Sequence, residues 1–207
     1  MSAFLTVMVI FLLGLMSPGP DFAFIVKQGI TRSRRTGILS AFGIALANMV
    51  HITYCILGIG VVITQSILLF NTLKYLGAAY LIYLGVRALA TRSPLPVMDA
   101  PDVRQADVPA LKAIGSGLLC NVFNPKCTVF FLALFTQVID PKTPILVEWC
   151  YGIVMAATAF TWFSLVATLF SLPQVRRTFS RVQKHVDRVM GLVLIAFGIK
   201  VALASRD

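Results

Sequence analysis

The stretch that most constrains this chain is Ser17-Pro18-Gly19-Pro20-Asp21, set inside an otherwise apolar run from Ala3 to Ile30. Each proline removes a backbone donor and its ring clashes with the carbonyl four residues back, so a continuous helix cannot pass through. Gly19 adds conformational freedom at the same point. If the run crosses a bilayer, the break leaves backbone carbonyls and a carboxylate at depth, where they persist only if protein or a water-filled cavity receives them. The expected structure is therefore a broken membrane span with a ligand site at the break.

The remaining composition supports a polytopic membrane protein. The chain has 207 residues, 58% of them hydrophobic and only 13% charged, with a mean hydropathy of +0.87. Six segments are expected: Phe4–Gly29, Gly37–Ile63, Leu73–Leu89, Ile114–Val138, Ile145–Leu172 and Val189–Ala204. Several reach the ~18–20 residues that cross about 30 Å of hydrocarbon. The fold class is thus all-α, with six transmembrane helices. A soluble enzyme and a DNA-binding protein are excluded by these runs, despite a net charge of +10.

Thirteen of the 18 basic residues fall in three connections on one side of the membrane. Lys27, Arg32, Arg34 and Arg35 mark the first, and Arg87, Arg92, Arg104 and Lys112 the second. Arg176, Arg177, Arg181, Lys184 and Arg188 mark the third. Lys74, Lys142, Lys200 and Arg206 fall on the other side, and Lys126 lies within a span. The positive-inside rule puts the three basic connections in the cytoplasm and both termini outside. Residues 92–110, rich in proline and aspartate, read as a flexible cytoplasmic linker between halves at 1–91 and 111–207. Leu172–Arg188 reads either as a surface amphipathic helix, with Val175, Phe179, Val182 and Val186 at helical spacing, or as a topology signal alone.

The halves resemble each other. Leu81–Arg87 and Leu194–Lys200 share three of seven residues without gaps. Each half also opens on a span broken by proline followed at once by a charge, Pro20-Asp21 and Pro125-Lys126. Three spans per half make the second half inverted, and paired breaks in inverted halves mark transporter binding sites. Asp21 is expected nearer the cytoplasmic face and Lys126 near the middle, their opposite charges compensating each other across the halves. Asn121 and Asn124 share a helix face, as do Asn48 and His51. These six residues form the expected substrate and proton pathway, with Ser17, Pro18, Gly19, Pro20 and Pro125 forming the breaks. For Asp21 helix capping is the simpler role, and His51 is read first as a bond to a neighbouring helix. Gly37, Ser40, Gly43, Ala47, Gly77 and Gly85 are expected at close helix contacts. Tyr80, Tyr83, Trp149 and Trp162 are open between anchoring, packing and cavity lining. Cys55, Cys120, Cys127 and Cys150 lack a C-x-x-C spacing, so a thiol–disulfide enzyme, a disulfide framework and a zinc site are unsupported, and buried packing is expected.

Ser17-Pro18-Gly19-Pro20-Asp21, the glycine-rich second span and Asn124-Pro125-Lys126 resemble the lysine exporter and homoserine/threonine exporter superfamily. Leu172-Pro173-Gln174-Val175-Arg176-Arg177 before a terminal span looks like its threonine-efflux branch. Members often carry alanine after the Asn-Pro-Lys motif, where this chain has Cys127. The resemblance covers essentially the whole chain. It implies a bacterial cytoplasmic-membrane exporter of small neutral amino acids such as threonine or homoserine, coupled to proton entry. Export of a basic amino acid or a homoserine lactone, and a passive channel, are the alternatives. The implied partners are an amino acid, protons and membrane lipids, with no nucleic acid, no cofactor and no metal; homo-oligomerisation is left open. The topology is directly checkable: a C-terminal reporter should be active only outside the cytoplasm, and cytoplasmic activity would invert the arrangement.

Overall fold

The computed structural model describes residues 2–59, 67–90, 105–138 and 143–203, which form eight α-helices and no strand. They are α1 (Ser2–Met16), α2 (Pro20–Thr31), α3 (Arg34–Tyr54), α4 (Ile67–Ala90), α5 (Ala110–Val122), α6 (Pro125–Val138), α7 (Ile145–Leu169) and α8 (Pro173–Leu203). A short π-helical stretch, Cys55–Ile59, continues α3. The expected end of the second segment at Ile63, the linker residues 92–104 and Ala204 lie outside the described residues.

Both expected breaks are present. The axis bends by 53° between α1 and α2 and by 62° between α5 and α6. Proline occupies the first turn of α2 and begins α6, where its missing N–H is not needed and its fixed φ suits a helix start. By length and apolarity the described residues hold two spans, Arg34–Gly58 and Ile145–Leu169, or four if each bent pair is one crossing. Asp187, Arg188 and Lys200 interrupt the apolar stretch of α8, and α4 adjoins residues outside the described set.

The segment before the last span differs from expectation. Leu172–Arg188 is not a separate surface element, because α8 runs unbroken over 31 residues from Pro173. At 1.5 Å rise per residue that is roughly 46 Å, well beyond the ~30 Å of a hydrocarbon core. No glycine or proline falls between Pro173 and Gly191, so nothing in the sequence stops the helix. Its buried face includes Gln183, Asp187, Met190, Leu194, Phe197 and Val201, so the helical spacing carries two polar residues into the interior.

The core lies between elements distant in sequence. Phe11, Phe130, Phe131 and Phe135 are buried together with Phe197, and their rings meet at tilted or edge-on angles. Small residues set the helix contacts, as expected. A Cβ on Gly43 would strike the Ile114 carbonyl, and one on Gly117 the Ser40 carbonyl, so the backbones of α3 and α5 touch. Ser40 Oγ donates to the Ala113 carbonyl at 3.2 Å across the same contact. Gly85 and Gly191 bring α4 and α8 equally close, while Gly37 meets Ala167 and Gly77 meets Ala133. Leu5, Val9, Phe42, Val50, Leu76, Ile153, Leu192 and Ile199 are exposed, an apolar surface fitted to lipid.

Of the expected linker, residues 105–109 are described, and they are held against the α2–α3 turn. Gln105 N donates to the Thr31 carbonyl at 2.6 Å, Arg32 Nη1 to the Ala106 carbonyl at 2.8 Å and Thr36 Oγ1 to Asp107 Oδ1 at 2.9 Å. Hydrogen bonds from Ser33 and Thr36 hold the Asp107 carboxyl below its ordinary range.

The α3–α5 contact gives a test with opposite signs at two glycines. Gly43→Ala should destabilise the purified protein by roughly 1–3 kcal/mol, since the new methyl meets backbone rather than a movable side chain. Gly115→Ala, with nothing near its Cβ position, should be neutral or stabilise by up to about 1 kcal/mol through helix propensity. Equal thermal midpoints for the two variants would rule out so close a contact.

Candidate functional site

The two breaks meet. Gly19, with extended backbone, precedes Pro20, so Asp21 falls in the first turn of α2, where its negative charge suits the helix N-terminus. Its side chain does not cap α2. It points to the other break instead. Asp21 Oδ2 accepts from Asn121 Nδ2 at 2.8 Å, from Asn124 Nδ2 at 3.1 Å and from the Cys127 thiol at 3.0 Å. The Cys120 thiol lies 3.7 Å from Oδ1. A buried carboxylate is thus received entirely by groups about a hundred residues away in sequence.

Asn124 has two tasks. Its Oδ1 accepts from the Lys126 backbone N–H at 3.0 Å, the N-cap bond of α6, while its Nδ2 donates to Asp21. The local signal, Asn-Pro-Lys at a helix start, therefore builds both the second break and half of the clasp.

Lys126 makes no direct ion pair with Asp21, although the two charges interact at a distance. Its ammonium donates to the Ser17 carbonyl at 3.0 Å, at the C-terminal end of α1, where freed carbonyls favour a cation. A Cβ on Gly19 would lie 3.0 Å from Lys126 Nζ, so the glycine leaves the path open for the lysine. The charges of Asp21 and Lys126 thus cross the break in opposite directions without closing on each other.

Asn48 and His51 lie on α3. Asn48 is buried and its Nδ2 has no hydrogen-bond partner, as is true of Asn121 Oδ1. Both residues line a chamber of about 40 Å³ beside Asp21, walled by Phe11, Phe130, Phe131 and Phe163. His51 sits outside it. Its Nδ1 is 2.7 Å from Tyr54 Oη, its Nε2 is 3.2 Å from the Asn121 carbonyl, and its ring stacks on Phe131. The ring fixes α5 to α3, the simpler of the roles expected for it.

A second cavity, about 320 Å³, lies on the other side of Ser17, Gly19, Pro20, Asn124 and Lys126, which line both spaces. Tyr80 and Arg87 of α4 and Gln183 and Asp187 of α8 face it. Of these, only Tyr80 was among the cavity-lining candidates from sequence. Gln183 and Asp187 were hidden inside a basic run, and the signal that reveals them is their i, i+3/i+4 alignment with Met190 and Leu194. Cys120 and Cys127 are also more than packing: they are half-buried and point thiols at Asp21. Cys150 is exposed and Cys55 buried.

Two facing helix breaks, with a clasped carboxylate beside a buried chamber, match the broken-helix sites of membrane carriers. The family model for LysE type translocators matches residues 12–205, and the chain belongs to that family. It is therefore a transporter and not an enzyme. It is 29% identical over 201 residues to the threonine efflux protein of Escherichia coli K12, covering 97% of this chain and 98% of that one. It is 30% identical to the threonine efflux protein of Salmonella typhimurium, covering 99% of both. With the leucine efflux protein of Klebsiella pneumoniae it shares 28% identity, over 91% of this chain and 89% of the other. No solved structure matches the chain.

The double use of Asn124 is testable. Asn124→Ala should cost about 2 kcal/mol by losing a cap and a charge-assisted hydrogen bond. Asn124→Asp keeps the cap acceptor but sets a second carboxylate against Asp21. Its thermal midpoint should be at or below that of the alanine variant at pH 7 and recover on acidification, as protonation removes the like-charge repulsion. If Asn124→Asp matched wild type at every pH, capping would be the whole role of this residue.

Proposed function

We propose that this chain is a proton-coupled exporter of small neutral amino acids, of the threonine or leucine type, in a bacterial cytoplasmic membrane. The observation that carries the reading is the Asp21 carboxylate of one break, clasped by Asn121, Asn124 and Cys127 of the other. The names of the similar proteins support the substrate class. In this reading the chain has six spans in two inverted halves, α4 and α8 being the third and sixth, with lipid around the apolar surface and both termini outside.

Asp21 is the proton carrier. All three close donors converge on Oδ2, an arrangement that suits a carboxylate oxygen. A proton arriving there becomes a competing donor, loosens the clasp and lets the two breaks part. The adjoining chamber of about 40 Å³ suits water, which needs roughly 10–15 Å³ of such space and several polar partners. The unpaired Asn48 Nδ2 and Asn121 Oδ1 supply partners of both kinds. An amino acid is too large for this chamber in the state described. Each proton moving inward supplies about 2.3 kcal/mol per 100 mV to drive export. Lys126 holds the end of α1.

Asp21→Asn keeps the shape and an acceptor but cannot carry the proton. In proteoliposomes it should retain saturable amino-acid counterflow and lose efflux driven by a pH gradient. Wild-type coupling in this variant would refute the assignment. Ion conductance without counterflow in the wild-type protein would favour a channel instead.

A further inference from the structure

We propose that the cavity between α4 and α8 is the loading site for the transported amino acid, with Asp187 receiving its ammonium and Lys126 its carboxylate. The assignment rests on the exporter reading and separates the path of the substrate from that of the proton.

A zwitterion requires a cation and an anion facing the same space without neutralising each other. Lys126 and Asp187 meet that requirement. Both line the cavity of about 320 Å³. They interact electrostatically, yet the Lys126 ammonium hydrogen-bonds the Ser17 carbonyl and the Asp187 carboxylate is hydrogen-bonded to Gln183. One bond to Ser17 leaves an ammonium with further donors, and one bond from Gln183 leaves a carboxylate with further acceptor sites. Asp187 is buried, at 5% exposure, and a carboxylate removed from water needs such partners. Its neighbour Gln183 fixes it from one turn earlier on the same face of α8.

Size separates this space from the Asp21 chamber. The loading cavity is about eight times the volume of the chamber, about 320 against about 40 Å³. Lys126 and Ser17 belong to the wall common to both. A carboxylate arriving on Lys126 competes with the Ser17 carbonyl for the ammonium, and so loosens the end of α1 next to the break that holds Asp21. Substrate and proton thus act on opposite sides of one partition.

Binding to the purified full-length protein tests this, with L-threonine, L-leucine and the N-acetyl derivative and primary amide of each as probes. The N-acetyl compound lacks the ammonium and the amide lacks the carboxylate. The wild type should prefer each amino acid over both derivatives by at least ~10-fold, the scale of one charge-assisted hydrogen bond. Asp187→Asn should lose the preference over the N-acetyl derivative, and Asp187→Glu should restore it. Lys126→Gln should lose the preference over the amide, while Gly115→Ala, which faces open space and does not line the cavity, keeps both. Ala88→Trp, which fills the cavity from α4, should abolish binding without altering a charge. Unchanged preference in Asp187→Asn or unchanged binding in Ala88→Trp would overturn the loading site alone. A wild-type protein that binds neither amino acid would overturn the exporter reading with it.

Discussion

A carboxylate cannot stay ionised inside a bilayer unless something receives it, and here the receiver lies in the other half of the chain. Asp21 begins α2, but its hydrogen bonds end on Asn121, Asn124 and Cys127. Neither break makes sense alone. Without the second, Asp21 would be a buried charge with no partner, at a cost of several kcal/mol. Without the first, the amides of Asn121 and Asn124 would be buried donors lacking an acceptor. The two interruptions stabilise each other, and the helices around them are placed by that exchange.

Lys126 uses the same logic for a different purpose. Proline breaks free the last carbonyls of the preceding helix, and an ammonium is a compact way to satisfy them. By binding the Ser17 carbonyl it stays near Asp21 without forming an ion pair with it. Two cavities of different size are then divided by a thin partition of backbone and one flexible side chain.

Much of this was legible in the sequence because it follows from residue types with few structural options. Proline inside an apolar run marks a break, and both breaks occur where expected. Small residues at helical spacing pointed to close backbone contacts, which Gly37, Gly43, Gly77 and Gly85 make. What sequence did not convey depends on side-chain direction. A lysine has enough reach to meet either Asp21 or Ser17, and spacing does not choose between them. Cysteine reads as a small apolar residue until a carboxylate lies beside it, as it does for Cys127. Asp187 was obscured by the charges around it: from Arg176 to Arg188 composition suggests a water-facing segment, whereas the continuous helix turns one face of it inward.

The glycine contacts also decide which parts of the molecule can move. Where a Cβ would strike a carbonyl, two helices interlock and cannot slide past each other by even a fraction of a turn. α3 is locked to α5 in this way, and α4 to α8. Each of these pairs joins a helix that ends by Ala90 to one that begins at or after Ala110, so the close contacts cut across the order of the chain.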